Sequence, residues 1–444
     1  MQTSRRALPA LTLGRQRSTE LFERAQSVFP GGVTRSTIER DPYPIFASYG
    51  EGAFVTDIDG HRMLDLNNNF TTLIHGHAYP PIIEAVAELL RSGSCFANPM
   101  TYEIDLAELL IDRIPSIEHV RFVVSGTEAV MFAIKAARAA TGRVAIARVE
   151  GAYHGAYDWA EVGQLASSTT PIGSYDGMPK SVLDDVVVIK FNDAQDVEQQ
   201  ISKHSARLSA ILIDPMPSRA GLIAPKPEFI TAINTVAKRY GILVIADEVL
   251  NLRQGYAGAS ARYGLEPDLV TMGKIIGGGF PVGAIGGRHE IMSVFGRAGS
   301  KALVPQGGTF SANPVSMLAG RLAMEALTRE AFQRLERLGS LVRDGLNSRI
   351  SHHGADLCVT GAASLFRIHA TKTAPSSFRD SLPSAVGENV LKMLRRHFLN
   401  NGILMPYGAA ASISTPMTEE DMGNIVSVFD DFLENFKTCA GEAA

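Results

Sequence analysis

Between about residues 80 and 290, the chain alternates short apolar runs with longer stretches that have helical spacing. The apolar runs include HVRFVVS, VAIARV, DDVVVIKF, SAILIDPM, GILVIADEV and DLVTMG. Short apolar strands separated by helices are typical of a mostly parallel sheet that is covered by helices on both faces. The alternation therefore predicts an α/β fold.

The segments that flank this region follow other patterns. Residues 18–28 have helical spacing and end at Pro30-Gly31-Gly32, a strong helix breaker. GAFVTDIDGHRMLDL alternates around Asp59-Gly60, which predicts a β-hairpin. A long helical stretch follows Asn313-Pro314 and extends to about residue 350. We therefore expect additional units on both sides of the α/β region.

The C-terminal part combines helices and strands. ASLFRIHA predicts a strand, GENVLKMLRRHFLNNG predicts a helix that ends at Gly402, and a last helix is expected from Glu419. The predicted division is an N-terminal arm and small-domain segment over 1–70, a large domain over 71–320, and a C-terminal small domain over 321–444.

Composition narrows the class of partner. The 444 residues include 42 basic and 46 acidic ones, and the net charge of −4 gives no electrostatic reason to expect nucleic acid or an anionic membrane. With 45% hydrophobic and 20% charged residues, the chain matches an ordinary globular protein. No stretch approaches the ~20 apolar residues of a membrane span. We expect small molecules as partners.

Two features bear on the compartment. Cys95, Cys358 and Cys439 are few and far apart, which argues against a disulfide framework and for a reducing environment. The pair Arg5-Arg6 resembles the start of a twin-arginine export signal, but Pro9 and Gly14 interrupt the apolar run that follows. We expect a cytoplasmic protein.

Three polar motifs follow strand-like runs, and ligands of open parallel sheets bind beyond the C-terminal ends of strands. Ser125-Gly126-Thr127 stands between such a run and a helix, where backbone N–H groups and hydroxyls can bind a phosphate. The same residues could simply cap the helix. Alone, this motif leaves both interpretations open.

The second and third motifs carry charge. GILVIADEV ends in Asp247 and Glu248, and because neighbouring residues on a strand point to opposite faces, at most one of them can face a pocket. A helix cap or a salt bridge is the alternative for either carboxylate. Lys274 follows DLVTMG, but Asp268 and Ile275 stand where a phosphate-binding Walker loop requires glycine and Ser or Thr. Lys274 is thus a solvated lysine or an amine for Schiff-base chemistry.

Together these motifs match the needs of pyridoxal phosphate. The cofactor requires an anchor for its phosphate, an anion at its pyridine nitrogen and an amine for its aldehyde. Tyr153, followed by His154, offers an aromatic side chain that could stack on the ring, or a merely structural one. His75 and His77 lack a ligand pattern that would indicate a metal, and His352-His353 is typical of a helix end at the surface.

Five motifs follow one another along the chain: SGTEA at 125–129, YHG at 153–155, DEV at 247–249, GKIIGGGFPVGAIGG at 273–287 and GGTFSANP at 307–314. Their order and spacing resemble the class III aminotransferases of fold type I, over roughly Phe29 to the C-terminus. The likeness is greatest to the subgroup of glutamate-1-semialdehyde aminomutase and the β-amino-acid, or β-phenylalanine, aminotransferases. It implies a large domain with a mostly parallel seven-stranded sheet, plus a small α+β domain built from the N- and C-terminal segments.

The resemblance also implies roles for individual residues. Lys274 would bind the aldehyde of pyridoxal phosphate and move a proton, and Asp247 would pair with the pyridine nitrogen. The remaining cofactor contacts would come from Ser125, Gly126, Thr127, Tyr153, His154 and Val249. Thr309 would reach the phosphate of a neighbouring subunit, which implies a homodimer with sites at the subunit interface.

Substrate recognition differs within the subgroup. GGVTRS places Arg35 where β-amino-acid aminotransferases carry the arginine for the substrate carboxylate, and LNLRQG places Arg253 as those enzymes do. Tyr407 stands where those enzymes carry an arginine for the acceptor carboxylate, so a neutral contact replaces a charge, unless Arg40 or Arg219 supplies it. The sequence also has Asp214-Pro215 where the family usually has Glu-Pro.

We therefore expect a ping-pong transaminase. The donor would be a β-amino acid or a related amine, and the acceptor a keto acid or an aldehyde. The alternatives are a glutamate-1-semialdehyde aminomutase, which the position of Arg35 disfavours, and an amine transaminase for donors without a carboxylate.

Overall fold

A computed structural model describes residues 14, 16–40, 43–165, 175–296, 299, 301–408 and 410–441. Arg5, Arg6 and Pro9, on which the expectation about export depends, lie outside the described residues. Among the helices of the described part, none is both long enough and apolar enough to span a bilayer.

The strands fall into a central group and two outer groups. They are β1 Ala47–Glu51, β2 Phe54–Asp57, β3 Arg62–Asp65, β4 His119–Val123, β5 Ala145–Val149, β6 Val186–Ile189, β7 Leu208–Ile213, β8 Leu243–Asp247, β9 Leu269–Gly273, β10 Gly283–Gly287, β11 Cys358–Thr360, β12 Leu365–His369, β13 Ile403–Leu404 and β14 Ala411–Ser412.

The helices surround these strands. They are α1 Gln16–Gln26, α2 Asn68–Thr71, α3 Pro80–Leu90, α4 Thr101–Arg113, α5 Gly126–Thr141, α6 Asp158–Glu161, α7 Lys180–Asp184, α8 Ala194–His204, α9 Pro227–Tyr240, α10 Gly258–Tyr263, α11 His289–Met292, α12 Pro314–Ala326, α13 Arg329–His353, α14 Ala385–Asn400 and α15 Glu419–Gly441. Short 3₁₀ turns cover Pro30–Gly32, Asn251–Gln254, Lys274–Gly277, Ser293–Phe295 and Arg379–Ser381.

The central sheet has seven strands in the order β4-β10-β9-β8-β7-β5-β6. Strand β10 runs antiparallel to both of its neighbours, and the other pairings are parallel. The predicted α/β fold with a mostly parallel seven-stranded sheet is confirmed. The strand GAIGG of β10 was not predicted, because glycine is normally depleted in strands and carries no apolar pattern.

Both faces of this sheet are buried, as the continuous apolar runs predict. Leu212 and Ile245 join an apolar cluster with α5, whereas Ile211 and Val244 join another cluster with α8 and α9. Neighbouring residues of one strand thus face different cores. The sheet is held between two layers of helices, so its strand ends have little freedom to move.

The N- and C-terminal segments share a smaller sheet of order β1-β2-β3-β13. Strands β2 and β3 form the hairpin predicted around Asp59-Gly60. Ile403 of β13 pairs with Leu64 of β3 in parallel register. The remaining sheet, β11-β12-β14, includes the predicted strand ASLFRIHA, and α15 begins at Glu419 as predicted.

The long helix predicted after Asn313-Pro314 is wrong in one respect, because it is two helices, α12 and α13. The break falls at Leu327 and Thr328, where the Thr328 side chain accepts a hydrogen bond of 3.2 Å from the N–H of Ala331 and caps α13. Arg113 donates to the carbonyl of Leu327. Helical spacing continues across the break, so the apolar pattern could not reveal it.

Candidate active site

The C-terminal ends of the parallel strands meet at one edge of the central sheet and border a cavity of about 500 Å³. Side chains from the loops after β4, β5, β7, β8 and β9 converge there. The residues that line this cavity include Arg35, Asn69, Ser125, Gly126, Thr127, Tyr153, His154, Asp214, Asp247, Val249 and Lys274.

Lys274 begins the 3₁₀ turn directly after β9 and faces the cavity. Its φ of 49° lies in the left-handed region, which costs a residue with a Cβ about 1–2 kcal/mol. Burial lowers the pKa of the Lys274 amine, the neighbouring Asp247 and Asp214 oppose this shift, and the charge of Arg253 adds to it. The lowered pKa favours the neutral amine, which is the form that can act as a nucleophile or a base.

Asp247, the last residue of β8, is buried and fully engaged as an acceptor. His154 Nδ1 donates to its Oδ2 at 2.7 Å, while Thr271 Oγ1 and the Val249 N–H each donate to its Oδ1 at 3.1 Å. Burial, as the main cause, lowers the pKa of His154, and the contact with Asp247 opposes this shift. Because Nδ1 faces a carboxylate oxygen, which can only accept, Nδ1 carries a proton. These contacts fix the carboxylate of Asp247 toward the cavity.

Glu248 points away from the cavity, as expected for the residue next to Asp247 on a strand. Its carboxylate accepts hydrogen bonds from the N–H of Ala259 at 3.0 Å and from the N–H and hydroxyl of Ser260 at 2.6 Å. Glu248 therefore caps α10. Of the two adjacent carboxylates, one faces the cavity and the other is structural.

Asp214 brings a second buried carboxylate to the cavity, from the loop after β7. It accepts hydrogen bonds from the Met216 N–H at 2.9 Å and from Asn251 Nδ2. Burial and the charge of Asp247 raise the pKa of Asp214 well above its usual range.

The first turn of α5 forms the third polar wall. Ser125 caps the helix, because its hydroxyl accepts a 3.2 Å hydrogen bond from the Glu128 N–H. The N–H groups of a first helical turn have no acceptor within the helix and can bind an anion. A Cβ at Gly126 would lie 2.9 Å from Val249 Cγ1, and one at Gly155 would collide with Thr127. These two glycines keep the turn open to the cavity.

Tyr153 and Arg35 border the same cavity from different directions. Tyr153 is 43% exposed and stacks under the guanidinium of Arg219, whose Cζ lies 4.2 Å from the ring centre. Arg35 comes from the N-terminal arm and donates to Asn69 Oδ1 at 3.1 Å. Arg35 is thus held at the mouth of the cavity by a neutral amide, which leaves its charge without a carboxylate partner among the described residues.

Asn69 belongs to a left-handed turn, α2, in which four successive residues have positive φ. The angles are 48° for Asn68, 48° for Asn69, 54° for Phe70 and 71° for Thr71. Asn tolerates this conformation, but Phe and Thr rarely adopt it. The sequence gives no signal of such a turn, because none of these residues is glycine.

Arg253 is fully buried and does not line the cavity, so it does not reach a substrate bound there. It donates to the Thr71 carbonyl at 2.9 Å, to the Ile413 carbonyl at 2.6 Å and to Ser364 Oγ at 3.0 Å. Burial lowers the pKa of Arg253 to about 9.

Several other candidates lie outside the lining of this cavity among the described residues. Thr309 is exposed on the surface of the protomer. Tyr407 borders a separate cavity of about 180 Å³, where the guanidinium carbon of Arg395 lies 4.9 Å from its ring centre. Arg40 donates to the Gly31 carbonyl at 3.5 Å. The roles of Thr309 and Tyr407 therefore stay predictions.

The paired histidines are engaged elsewhere. His75 lies 2.8 Å from the Ala323 carbonyl through Nε2, and His77 lies 2.8 Å from Asp65 through the same ring atom. His353 lies at the end of α13 and contacts Asp430 at 2.8 Å. Sequence reasoning missed Thr271 and Asn69, because a threonine in a strand and an asparagine in a loop are too common to stand out.

This set of groups fits pyridoxal phosphate. The N-terminus of α5, opened by Gly126 and Gly155, is a place for its phosphate, and Lys274 is an amine whose lowered pKa suits an aldehyde partner. Asp247 is an anion held by three donors beside it. His154 Nε2 is a buried polar atom without a hydrogen-bond partner in the described part of the chain. A lysine, a carboxylate and an anion-binding turn at adjoining strand ends of an α/β sheet define a fold type I pyridoxal phosphate enzyme.

Comparison with known proteins specifies the class. The sequence profile of the class III aminotransferases matches residues 36–403, so the chain belongs to this family. It is similar to the glutamate-1-semialdehyde 2,1-aminomutase of Methanothermobacter thermautotrophicus, with 38% identity over 392 residues, 88% of this chain and 92% of that one. The protein is a pyridoxal phosphate-dependent transaminase in the broad sense of that family.

Solved structures of proteins with other named activities are also similar to this chain. An omega-transaminase from Sphaerobacter thermophilus superposes with a TM-score of 0.92 and 45% identity, over 94% of this chain and 97% of that one. A transaminase with PLP bound superposes with a TM-score of 0.90 and 39% identity, over 95% of this chain and 98% of that one. A β-phenylalanine aminotransferase from Variovorax paradoxus superposes with a TM-score of 0.88 and 32% identity, over 95% of this chain and 94% of that one.

Proposed function

We propose that this enzyme transfers the amino group of a β-amino acid, or of a related amine, to a keto acid or an aldehyde by a ping-pong mechanism. The observation that carries the proposal is the position of Arg35, whose guanidinium borders the same cavity as Lys274. It donates to the neutral Asn69 amide, lies 5.8 Å from the centre of the Phe70 ring, and has no carboxylate partner among the described residues. A guanidinium binds a carboxylate through paired hydrogen bonds. The similarity to a β-phenylalanine aminotransferase supports this donor class.

The residues of the chain divide the work. When bound, pyridoxal phosphate carries the amino group between donor and acceptor, and its ring withdraws electrons from the reacting carbon. Ser125, Gly126 and Thr127 would hold the phosphate, and Val249 and Tyr153 would border the ring. Asp247, oriented by His154, would keep a negative charge at the ring nitrogen.

Lys274 would move the proton. Its Nζ would take a proton from the donor carbon and pass it on within the first half of the reaction, and it would deliver a proton to the acceptor carbon in the second half. For this the amine must be neutral, and the burial that lowers its pKa favours that form. Arg35 would bind the donor carboxylate and thereby orient the reacting carbon toward Lys274.

The test compares donors with and without a carboxylate. Arg35→Ala is expected to raise the KM for β-phenylalanine about 10- to 100-fold, the value of one charge-assisted hydrogen-bonded pair of ~1.5–3 kcal/mol. The KM for an arylalkylamine without a carboxylate should stay unchanged. Arg40→Ala is the matched control, because Arg40 lies on the same arm but outside the cavity lining. Equal losses with both donors would contradict the role of Arg35.

Two other activities are favoured by particular relatives. The similarity to an aminomutase favours conversion of glutamate-1-semialdehyde without an external acceptor. The similarity to an omega-transaminase favours amines that lack a carboxylate. Incubation of the enzyme with glutamate-1-semialdehyde alone, and with an arylalkylamine plus pyruvate, separates these activities from the proposed one.

The acceptor side and the location complete the proposal. Tyr407 carries no charge and borders a separate cavity, so it supplies no cation for an acceptor carboxylate, and we expect weak discrimination in favour of dicarboxylate acceptors. The free thiols of Cys95 and Cys358 support a reducing, cytoplasmic compartment.

We also propose a homodimer in which Thr309 of each subunit completes the phosphate site of the other. The exposed Thr309 stands beside the exposed Phe310 and near the exposed Leu303, which are apolar side chains suited to an interface. Mixing Lys274→Ala protomers with Thr309→Ala protomers tests this at limiting cofactor. A mixed dimer would regain one site with both residues, so activity above that of either variant is expected, and no gain would contradict the shared site.

A further inference from the structure

The left-handed turn Asn68–Thr71 needs an explanation that its sequence does not provide. Four successive side-chain-bearing residues hold positive φ, and two of them, Phe70 and Thr71, are types that disfavour it. Such a conformation persists only where surrounding contacts determine it. The turn borders the cavity through Asn69, whose amide oxygen accepts the hydrogen bond from Arg35.

Contacts hold the turn at both of its ends. At the start, Asp65 Oδ1 accepts hydrogen bonds from the N–H groups of Asn67 at 2.8 Å and Asn68 at 3.0 Å. At the end, Arg253 Nη1 donates to the Thr71 carbonyl at 2.9 Å. The first contact resembles an ordinary loop contact, whereas the second requires a fully buried cation.

The other two contacts of Arg253 fix that cation in place. Nη2 donates to the Ile413 carbonyl at 2.6 Å and Nε donates to Ser364 Oγ at 3.0 Å. All three acceptors are neutral, and in the described chain no carboxylate pairs with this guanidinium. Burying a guanidinium without a counter-ion costs free energy. We therefore look for the role of Arg253 in the backbone and hydroxyl groups that it binds.

We propose that Arg253 is a positioning residue for donor recognition. By binding the Thr71 carbonyl, it holds Asn68–Thr71 in the left-handed conformation that presents the Asn69 amide to Arg35. Arg253 thereby acts on the donor carboxylate through the turn and does not touch the substrate. This inference rests on the proposed function, in which Arg35 binds that carboxylate.

The first variant keeps the positive charge at position 253 but removes the planar guanidinium group with its several N–H donors. A lysine at 253 cannot reach three acceptors at once. Arg253→Lys should therefore raise the KM for β-phenylalanine about tenfold, the loss expected for one charge-assisted hydrogen bond. The kcat for that donor and both constants for a carboxylate-free amine should change less than about twofold by the same reasoning.

The rescue variant tests the route through the turn. Glycine adopts a φ of 71° without the side-chain penalty of threonine. The buried Thr71 hydroxyl has no hydrogen-bond partner among the described residues, so its removal breaks no hydrogen bond there. Arg253→Lys combined with Thr71→Gly should return the KM to within about threefold of wild type. Thr71→Gly alone should leave the KM unchanged. If the double variant stays as poor as Arg253→Lys, the role of the turn is overturned.

A readout without substrate or cofactor accompanies the kinetics. In the cofactor-free protein, amide hydrogen exchange at Thr71, Thr72 and Leu73 should be faster in Arg253→Lys than in wild type, and slow again in the double variant. Unchanged exchange in Arg253→Lys would overturn the proposal, because the turn would then not depend on Arg253.

Two further variants guard against a general loss of folding. Arg113 is also buried and also donates to carbonyls, at Met324 and Tyr256. Arg113→Lys should therefore lower the Tm, and any change in KM should be the same for β-phenylalanine and for the carboxylate-free amine. If Arg253→Lys does not fold, Ser364→Ala removes only the Nε partner and should raise the KM for β-phenylalanine about two- to threefold, with no effect on the plain amine. An equal effect of Ser364→Ala on both donors would overturn the inference.

The outcome for Arg35→Ala separates this inference from the proposed function. If Arg35→Ala affects both donors equally, the carboxylate role of Arg35 falls and the inference falls with it. If Arg35→Ala is selective for the carboxylate donor but Arg253→Lys is not, the proposed function stands and only the role of Arg253 is lost.

Discussion

At one end of the cavity, Lys274, Asp247 and the first turn of α5 extend from the strands of one sheet, and at the other end Arg35 and Asn69 come from an arm and a left-handed turn. We call these the sheet end and the arm end. The sheet end is held by a framework buried on both faces, and its groups follow their strands within a few residues. The arm end depends on contacts between segments that are distant in the chain. The difference suggests that the chemistry is fixed by the sheet and the substrate range by the arm.

The largest effect should follow removal of the amine at the sheet end. Lys274→Ala should reduce turnover at least about 10²–10⁴-fold, the range for a positioned proton-transfer group. The fold should persist, because the side chain ends in the cavity. Steady-state kinetics with and without added methylamine provide the measurement. Partial rescue by the small amine is expected. Substantial activity of Lys274→Ala without methylamine would contradict the role of Lys274 in the chemistry of the sheet end.

The next effect distinguishes the two faces of β8. Asp247→Asn should reduce the rate of amino transfer about 10- to 100-fold, because it replaces charge-assisted hydrogen bonds of ~1.5–3 kcal/mol by neutral ones. His154 can adapt, since its Nε2 has no hydrogen-bond partner in the described part of the chain and can accept the ring proton. Rapid-mixing measurements of the donor half-reaction would show the loss.

Glu248→Gln is the matched control for Asp247→Asn. It alters the cap of α10 on the opposite face, so it should lower the Tm and leave the rate of amino transfer unchanged. Equal kinetic losses in the two variants would mean that the orientation of these side chains does not decide their roles.

A smaller effect concerns the stability of the sheet end against pH. The pKa of Asp214 is raised, chiefly by burial, so the stabilisation tied to its protonated form is complete below the ordinary aspartate value of about 3.9 and is lost as the pH rises through the higher folded-state pKa. Asp214→Asn removes this loss and keeps an acceptor for the Met216 N–H.

Denaturation of the cofactor-free protein at several pH values tests this prediction. The variant should gain in stability over wild type as the pH rises from the ordinary aspartate value of about 3.9 toward neutrality. A constant difference across this range would contradict the raised pKa.

The smallest effect is expected outside both ends of the cavity, with Tyr407→Arg. The new guanidinium would lie beside Arg395 in the separate cavity, so the Tm should fall through like-charge repulsion. The KM for a dicarboxylate acceptor should change less than about twofold, because the loss or gain of an interaction outside the reacting cavity is small. Tyr407→Phe is the control for the hydroxyl. A tenfold lower KM in Tyr407→Arg would show that the arm end extends to this position.

The sheet end was largely predictable from the sequence, because its signals are local. Apolar runs reveal strands, and the polar residue after each run is carried to the same edge of the sheet. Strand geometry predicts that at most one of Asp247 and Glu248 faces the cavity, but it does not say which one. Only the contacts of Ser260 with Glu248 show that Glu248 is the helix cap.

The arm end could not be read in the same way. Arg35 was proposed by resemblance, whereas the Asn69 amide that binds it depends on a left-handed turn with no glycine. The turn in turn depends on Arg253, which lies 182 positions from Thr71 along the chain. Propensity describes neighbours in sequence, so a conformation imposed by distant contacts leaves no local pattern.

The pairing of β3 with β13 has a consequence for the order in which the molecule is made. Ile403 emerges from the ribosome long after Leu64, and at ~5–20 residues per second the delay is on the order of 20–70 s. Throughout that interval one edge of β3 has no strand to pair with, and Arg253 has no Ile413 carbonyl to bind. The nascent chain can complete its sheet end early, but it acquires a finished arm end only after Ile403 and Ile413 have been made.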